Sequence, residues 1–179
     1  MLVLPTEKSI PKVQNPRLLV IFGKPKSGKT TLASRLENNL IIDLEGGSEF
    51  LSALSIQARN INDLGEIATL IRNKNKEAGK FFYDYITIDN TTRLEEMCLS
   101  YATQLYNQTP MGKAFKGDVR TLPNGGGYLY LRQAVRKVID MFRELAEHII
   151  LIGHTKDIYL SLQLEIIVEK PFNCWKILL

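Results

Sequence analysis

Short apolar runs closed by polar residues recur along this chain at 17–22, 40–44, 83–90 and 148–153. They are too short for buried helices and rich in Ile, Leu and Val, which predicts strands covered on both faces of a parallel sheet. Between them the apolar positions fall at helical spacing. Helices are predicted at 31–38, at 48–55 with Ser48 as N-cap, and at 63–78, where Leu64, Ile67, Ala68 and Ile71 share a face and Gly79 ends the run. Two more are predicted at 92–107, with Leu94, Met97, Cys98, Tyr101 and Leu105 as a core face, and at 128–147, where Leu131, Val135, Val138, Phe142 and Leu145 form a stripe opposite Arg132, Arg136, Asp140 and Glu144. The polar stretch 57–62 reads as a short edge strand.

Two stretches carry no such pattern. Residues 1–16, with Pro5, Pro11 and Pro16, read as an extended arm. Residues 108–127, punctuated by Pro110, Gly112, Gly117, Pro123 and Gly125-Gly126-Gly127, read as a loop of a length that usually carries function. Strands alternating with helices predict an α/β fold, a mostly parallel sheet flanked by helices and joined by right-handed crossovers.

At 179 residues the chain is expected to make one domain with a proper core. Hydrophobic residues at 45% and charged residues at 23% exclude a disordered or fibrous chain. No apolar run reaches the roughly 18 residues that span a bilayer, and the first residues lack a signal-peptide pattern, so no membrane role and a cytoplasmic location are expected. Cys98 and Cys174 stand far apart and without metal-ligand spacing. The net charge of +4 permits a polyanionic partner without demanding one.

The chemistry centres on Gly23-Lys24-Pro25-Lys26-Ser27-Gly28-Lys29-Thr30, a full match to the phosphate-binding loop G-x-x-x-x-G-K-[ST], followed by Thr31 and set between a strand and a helix. The glycines let the backbone turn so that its N–H groups converge on a phosphate, and the helix N-terminus adds its positive end. Lys29 is expected to reach the β- and γ-phosphates of ATP, and the Thr30 hydroxyl to hold Mg²⁺. A Gly- and Lys-rich surface turn is the bland alternative, and the flanking strand and helix argue against it.

In a parallel sheet, ligands sit beyond the carboxyl ends of the strands. The polar residues that close the runs are therefore informative: Asp43-Leu44-Glu45, Asp89-Asn90 and His154. Asp89 is expected to hold the metal, its alternative being a helix N-cap. Glu45 is expected to orient and polarise the attacking water, with a plain loop acid as the other reading. His154 reads as a γ-phosphate sensor or a structural residue, whereas His148, at the other end of its strand, reads as structural. From 107 to 137 six basic residues stand against the single acid Asp118, with aromatic residues among them. Lys113, Phe115, Lys116 and Arg120 are therefore candidate contacts to single-stranded DNA, the alternative being a solvated face.

With these residues assembled, the chain resembles the RecA/RadA-like P-loop ATPases, most of all the phage-encoded AAA-domain nucleotide-binding proteins, some of which act in single-strand annealing and recombination. The resemblance rests on GKPKSGKT, on Ile42-Asp43-Leu44-Glu45-Gly46, on YITIDN and on LIGHTKD. It implies a RecA-like fold, a core over 17–157, catalytic roles for Lys29 and Glu45, phosphate sensing by His154 and Lys156, and ATP and Mg²⁺ as cofactors. It also implies single-stranded DNA as partner, a homo-oligomer, and the host cytoplasm as the setting if the chain is phage-encoded. Residues 158–179 depart from the family pattern, so the chain reads as shortened at its C-terminus and turnover of ATP as less secure than binding. A nucleotide-gated module without turnover and a small-molecule kinase are the competing readings.

Overall fold

A computed structural model describes residues 17–155 and 176–178. Its most uniformly covered strand is β2 (Asn39–Asp43), in which every residue is buried. To one side β2 pairs with the edge strand β3 (Leu54–Gln57), and to the other with β4 (Tyr85–Asp89). Next come β5 (His148–His154), β1 (Leu18–Gly23) and β6 (Lys176–Leu178), giving the order β3-β2-β4-β5-β1-β6. All pairings are parallel, as the unbroken apolar runs predict. The α/β architecture with a parallel sheet flanked by helices therefore stands.

The register aligns the strand ends that matter. Asp43 lies opposite Asp89, Asp89 opposite Ile152, and Gly23 opposite His154. One buried polar cluster locks this alignment from below. The Asn39 side chain donates to the Ala33 carbonyl at 2.8 Å and accepts from the Thr87 hydroxyl at 3.0 Å, joining the helix after β1 to β2 and β4. All its partners are inside the protein, so the burial of this amide is compensated.

The helices differ from their predicted bounds where capping overrides periodicity. Helix α1 spans Lys29–Ser34, beginning two residues earlier than predicted and ending four earlier. The predicted helix at 48–55 is instead a single 3₁₀ turn, Ser48–Phe50, followed by β3, and Ser48 makes no side-chain cap. Helix α2 (Ile61–Ala78) starts at a capping box of Asn60 and Asp63 and ends on left-handed Gly79, so the edge strand expected at 57–62 lies earlier in the chain. The predicted helix at 92–107 is two helices, α3 (Thr91–Met97) and α4 (Leu99–Asn107), meeting at Cys98. Finally, α5 (Gly126–Arg143) takes in two of the three glycines assigned to the loop.

That last difference has a steric cause. A Cβ on Gly127 would stand 1.6 Å from the Val119 carbonyl oxygen, so the first turn of α5 packs directly on the backbone of the 3₁₀ turn Val119–Thr121. Val119 is itself fully buried. The triplet thus serves close helix packing as well as chain reversal. Gly127→Ala is expected to destabilise the protein by about 1–3 kcal/mol, as overpacking does. Gly126→Ala, where an added Cβ meets nothing within 4 Å, is the control and should be neutral or mildly stabilising. Chemical denaturation of both variants decides the point, and equal midpoints would refute it.

Candidate nucleotide site

Between β1 and α1 the chain reverses through two left-handed residues, Lys26 (φ 63°) and Gly28 (φ 83°). Nothing crowds an added Cβ at Gly28, so it is the backbone angle that favours glycine there. Lys24, Pro25, Lys26 and Ser27 are exposed, whereas Lys29 turns inward and is only 5% exposed. Its Nζ donates to the carbonyls of Gly23 at 3.0 Å and Lys24 at 2.8 Å and approaches the Ser27 hydroxyl at 3.5 Å. The ammonium is thus solvated by loop dipoles. Among the described residues no carboxylate neutralises it, so its charge is directed into the loop.

The other end of the site is acidic. The Thr30 hydroxyl donates to Asp89, reaching from the start of α1 past the end of β5 to the end of β4. Burial pushes the Asp89 carboxyl above its usual range. The Thr30 bond opposes that shift, and the charges of Asp43 and Glu45 add to it. Asp43 is also buried, at 4% exposed, but has a different environment. Its Oδ1 accepts from the amides of Glu45 at 2.9 Å and Gly46 at 2.7 Å, and its Oδ2 from that of Ser48 at 2.7 Å. Burial works against this charge, yet the bonds from Ser48, Glu45 and Gly46 outweigh it and hold the carboxyl below the usual range.

Asp43 therefore shapes the turn that presents Glu45. The Glu45 side chain is half exposed, and its Oε2 lies 3.6 Å from Nε2 of His154. His154 closes β5, the strand between β1 and β4, and its buried Nδ1 has no hydrogen-bond partner among the described residues. The next residue fastens β5 to the phosphate loop. The Thr155 amide donates to the Gly23 carbonyl at 3.2 Å, the same oxygen that accepts from Lys29.

These residues fit a magnesium nucleotide. Thr30 and Asp89 offer the hard oxygen donors that Mg²⁺ takes, and a cation there would offset the unfavourable burial of the Asp89 charge. Among the described residues no group of three His, Cys, Asp or Glu is placed to hold a metal alone.

A family model described as an AAA domain matches residues 15–163. The chain belongs to this family. It is a P-loop NTPase family, so nucleotide binding comes with membership. No curated protein matches the chain. Among the described residues of this AAA domain, no helix is long and apolar enough to cross a membrane.

The structure brings Lys29, Thr30, Asp43, Glu45, Asp89 and His154 to one edge of the sheet. It treats the four candidate DNA contacts unequally. Lys113 and Lys116 are exposed, but Arg120 is engaged by Asp118, with Nε donating at 2.8 Å. The Phe115 ring packs edge-on against Tyr106 at 5.3 Å, and Tyr130 meets the same tyrosine at 5.1 Å. Lys156 lies outside the described residues. Asn90 has a role that the apolar pattern does not reveal. It, not Asp89, caps α3, accepting from the Arg93 amide at 2.9 Å, while its buried Nδ2 has no partner among the described residues. An Asn directly before a helix start is the sequence signal for it.

Asp43→Asn places an amide N–H against the Ser48 amide and removes the charge that gathers three donors. A loss of about 1–3 kcal/mol at pH 7 is expected. Because the native carboxyl is held below its unfolded value, this contribution is complete above about pH 4 and fades as the pH falls through the lowered native value. Unfolding of parent and variant from pH 7 down to pH 2 should show their difference shrinking on the acid side, and a constant difference would contradict this account.

Proposed function

We propose that this AAA domain protein binds ATP with Mg²⁺ and hydrolyses it. The observation that carries the reading is the pairing of a buried, un-neutralised Lys29 ammonium with the Thr30 and Asp89 oxygens at the opposite side of one loop. In this proposal the loop amides and Lys29 hold the phosphates, and Thr30 and Asp89 hold the metal. When bound, Mg²⁺ supplies positive charge to the phosphate oxygens and fixes their orientation. Glu45 accepts a proton from the water whose oxygen bonds to the γ-phosphorus as the bond to the departing ADP breaks. His154, with Nε2 3.6 Å from the Glu45 carboxylate, stands on the strand between the loop and Asp89, which suits sensing of the γ-phosphate.

The likeness to RecA/RadA-type and phage recombination ATPases extends the proposal to single-stranded DNA, in recombination, annealing or repair. Exposed Lys113 and Lys116 favour that extension, and a ring already packed at Phe115 leaves stacking there to a rearranged loop. A gated module and a kinase are separated from an ATPase by product. Phosphate release distinguishes hydrolysis from binding alone and from transfer to a nucleoside or nucleotide.

Lys29→Ala should cost most of the affinity for ATP, read by a fluorescent nucleotide analogue, since the charge aimed at the phosphates is gone. Unchanged affinity in a folded variant would sink the site. Glu45→Gln should keep ATP and Mg²⁺ binding yet slow phosphate release by about tenfold to a thousandfold or more, the range for losing a general base. Turnover at the parent rate would reduce Glu45 to a loop acid.

A further inference from the structure

The amino-terminal edge of the sheet carries a second charged feature, which plays no part in the nucleotide site. Helix α2 descends from β3 and ends beside the start of β4. There Arg72, Asn75, Lys76, Lys80 and Phe81 line a cleft of about 450 Å³. The cleft is built firmly. Asn75 donates through Nδ2 to the Leu145 carbonyl at 2.8 Å, accepts at Oδ1 from the Phe82 amide at 2.8 Å, and so ties α2 to the approaches of both β4 and β5. The Phe82 carbonyl in turn accepts from Asn38 at 3.0 Å, ahead of β2. Gly79, in the left-handed conformation, turns the chain so that Lys80 and Phe81 line the cleft with the cations of the helix.

The surface of this cleft is apolar, and the exposed charged side chains around it are of one sign. No acid lines it, and none of Arg72, Lys76 and Lys80 has a carboxylate partner among the described residues. The nearby Lys74 and Glu77 neutralise each other at 2.9 Å and add nothing to the balance. One cation in the last turn of a helix is favoured by the helix dipole. That effect does not account for three, nor for a phenyl ring left 38% exposed beside them. Arg72 and Lys76 stand one helical turn apart, with Lys80 continuing beyond the helix end. Such a row suits a chain of phosphates better than a single one, and the flat ring of Phe81 offers a stacking face to a base.

We propose that this cleft is a binding site for single-stranded nucleic acid, with successive phosphates on Arg72, Lys76 and Lys80 and a base against Phe81. It lies at the opposite edge of the sheet from the phosphate loop and does not involve the exposed lysines of 108–127. A strand can therefore occupy it whatever the state of the nucleotide site.

The test is a titration of the whole chain with fluorescein-labelled oligo(dT) and oligo(rU) at several salt concentrations, with inorganic phosphate and a mononucleotide as competitors. Replacing Arg72, Lys76 and Lys80 together by Ala should weaken binding and flatten the dependence of log K on log salt by about 2, at roughly 0.7 for each single-strand phosphate no longer neutralised. Phe81→Ala should weaken binding about fivefold or more without changing that slope. ATP-analogue affinity should stay at the parent value in both, which separates this site from the loop around Lys29. A Lys113→Ala/Lys116→Ala variant run in parallel separates it from the other basic surface. Lys76→Glu serves as a second probe, and circular dichroism checks that each variant is folded. Bromodeoxyuridine in the oligonucleotide should crosslink to the peptide containing Phe81. Oligonucleotide binding by the triple variant equal to that of the parent, loss of binding only in the Lys113/Lys116 variant, no binding by the parent, or complete displacement by millimolar phosphate would each overturn the assignment.

Discussion

A strand buried on both faces has no solvent side on which to place a polar group. In β2 and β4 the interior positions are taken by Leu40, Ile41, Ile42, Ile86 and Ile88, all buried, and charged side chains emerge only where the strands stop. Because every pairing is parallel, all the strands stop at the same edge, and the register sets Asp43 beside Asp89 and Gly23 beside His154. The chemistry of the carboxyl edge is thus a consequence of how the sheet is covered. Asn39 and Thr87 are the exception inside the sheet, and their mutual hydrogen bond with a helix carbonyl beyond shows what an interior polar group there requires.

At that edge the charges are kept apart by different means. Lys29 is solvated by carbonyl oxygens of its own loop, and among the described residues no acid pairs with it. Asp43 is surrounded by backbone donors and stays ionised, whereas Asp89 has one hydroxyl donor, like charges nearby and a raised pKa. The contrast separates a carboxylate that is satisfied by the protein from one that is not. A structural carboxylate brings its own donors, while a carboxylate short of donors is the one that gains from a cation.

The parts that were legible in the sequence are those governed by period and by a dense local motif. Leu64, Ile67, Ala68 and Ile71 are buried on α2 as their spacing predicts, and GKPKSGKT turns between a strand and a helix. What was not legible depends on partners distant in the chain. Gly127 looks like a loop residue until Val119 is found against it, and Phe115 looks like a free stacking face until Tyr106 is found beside it. The turn at 48–50 looks helical because its apolar positions fit, but the Asp43 carboxylate takes the Ser48 amide and commits the chain to a different path. Asn60 and Asn90 carry readable cap signals. The apolar spacing that follows the first and the acid that precedes the second are stronger local patterns and mask them.

The same turn explains why the two acids at the end of β2 differ in freedom. Asp43 accepts three amides and is fixed, while Glu45, two residues on, donates its backbone amide to Asp43 and leaves its carboxylate half exposed. The general-base role proposed for Glu45 would need solvent access and a defined position together. Here the position comes from the backbone, through Asp43, and the access from the lack of packing around the side chain. Nε2 of His154 comes to 3.6 Å of the carboxylate without burying it. His154 belongs to the strand fastened to the phosphate loop through Thr155 and Gly23, so the loop and the neighbour of Glu45 share one strand pair.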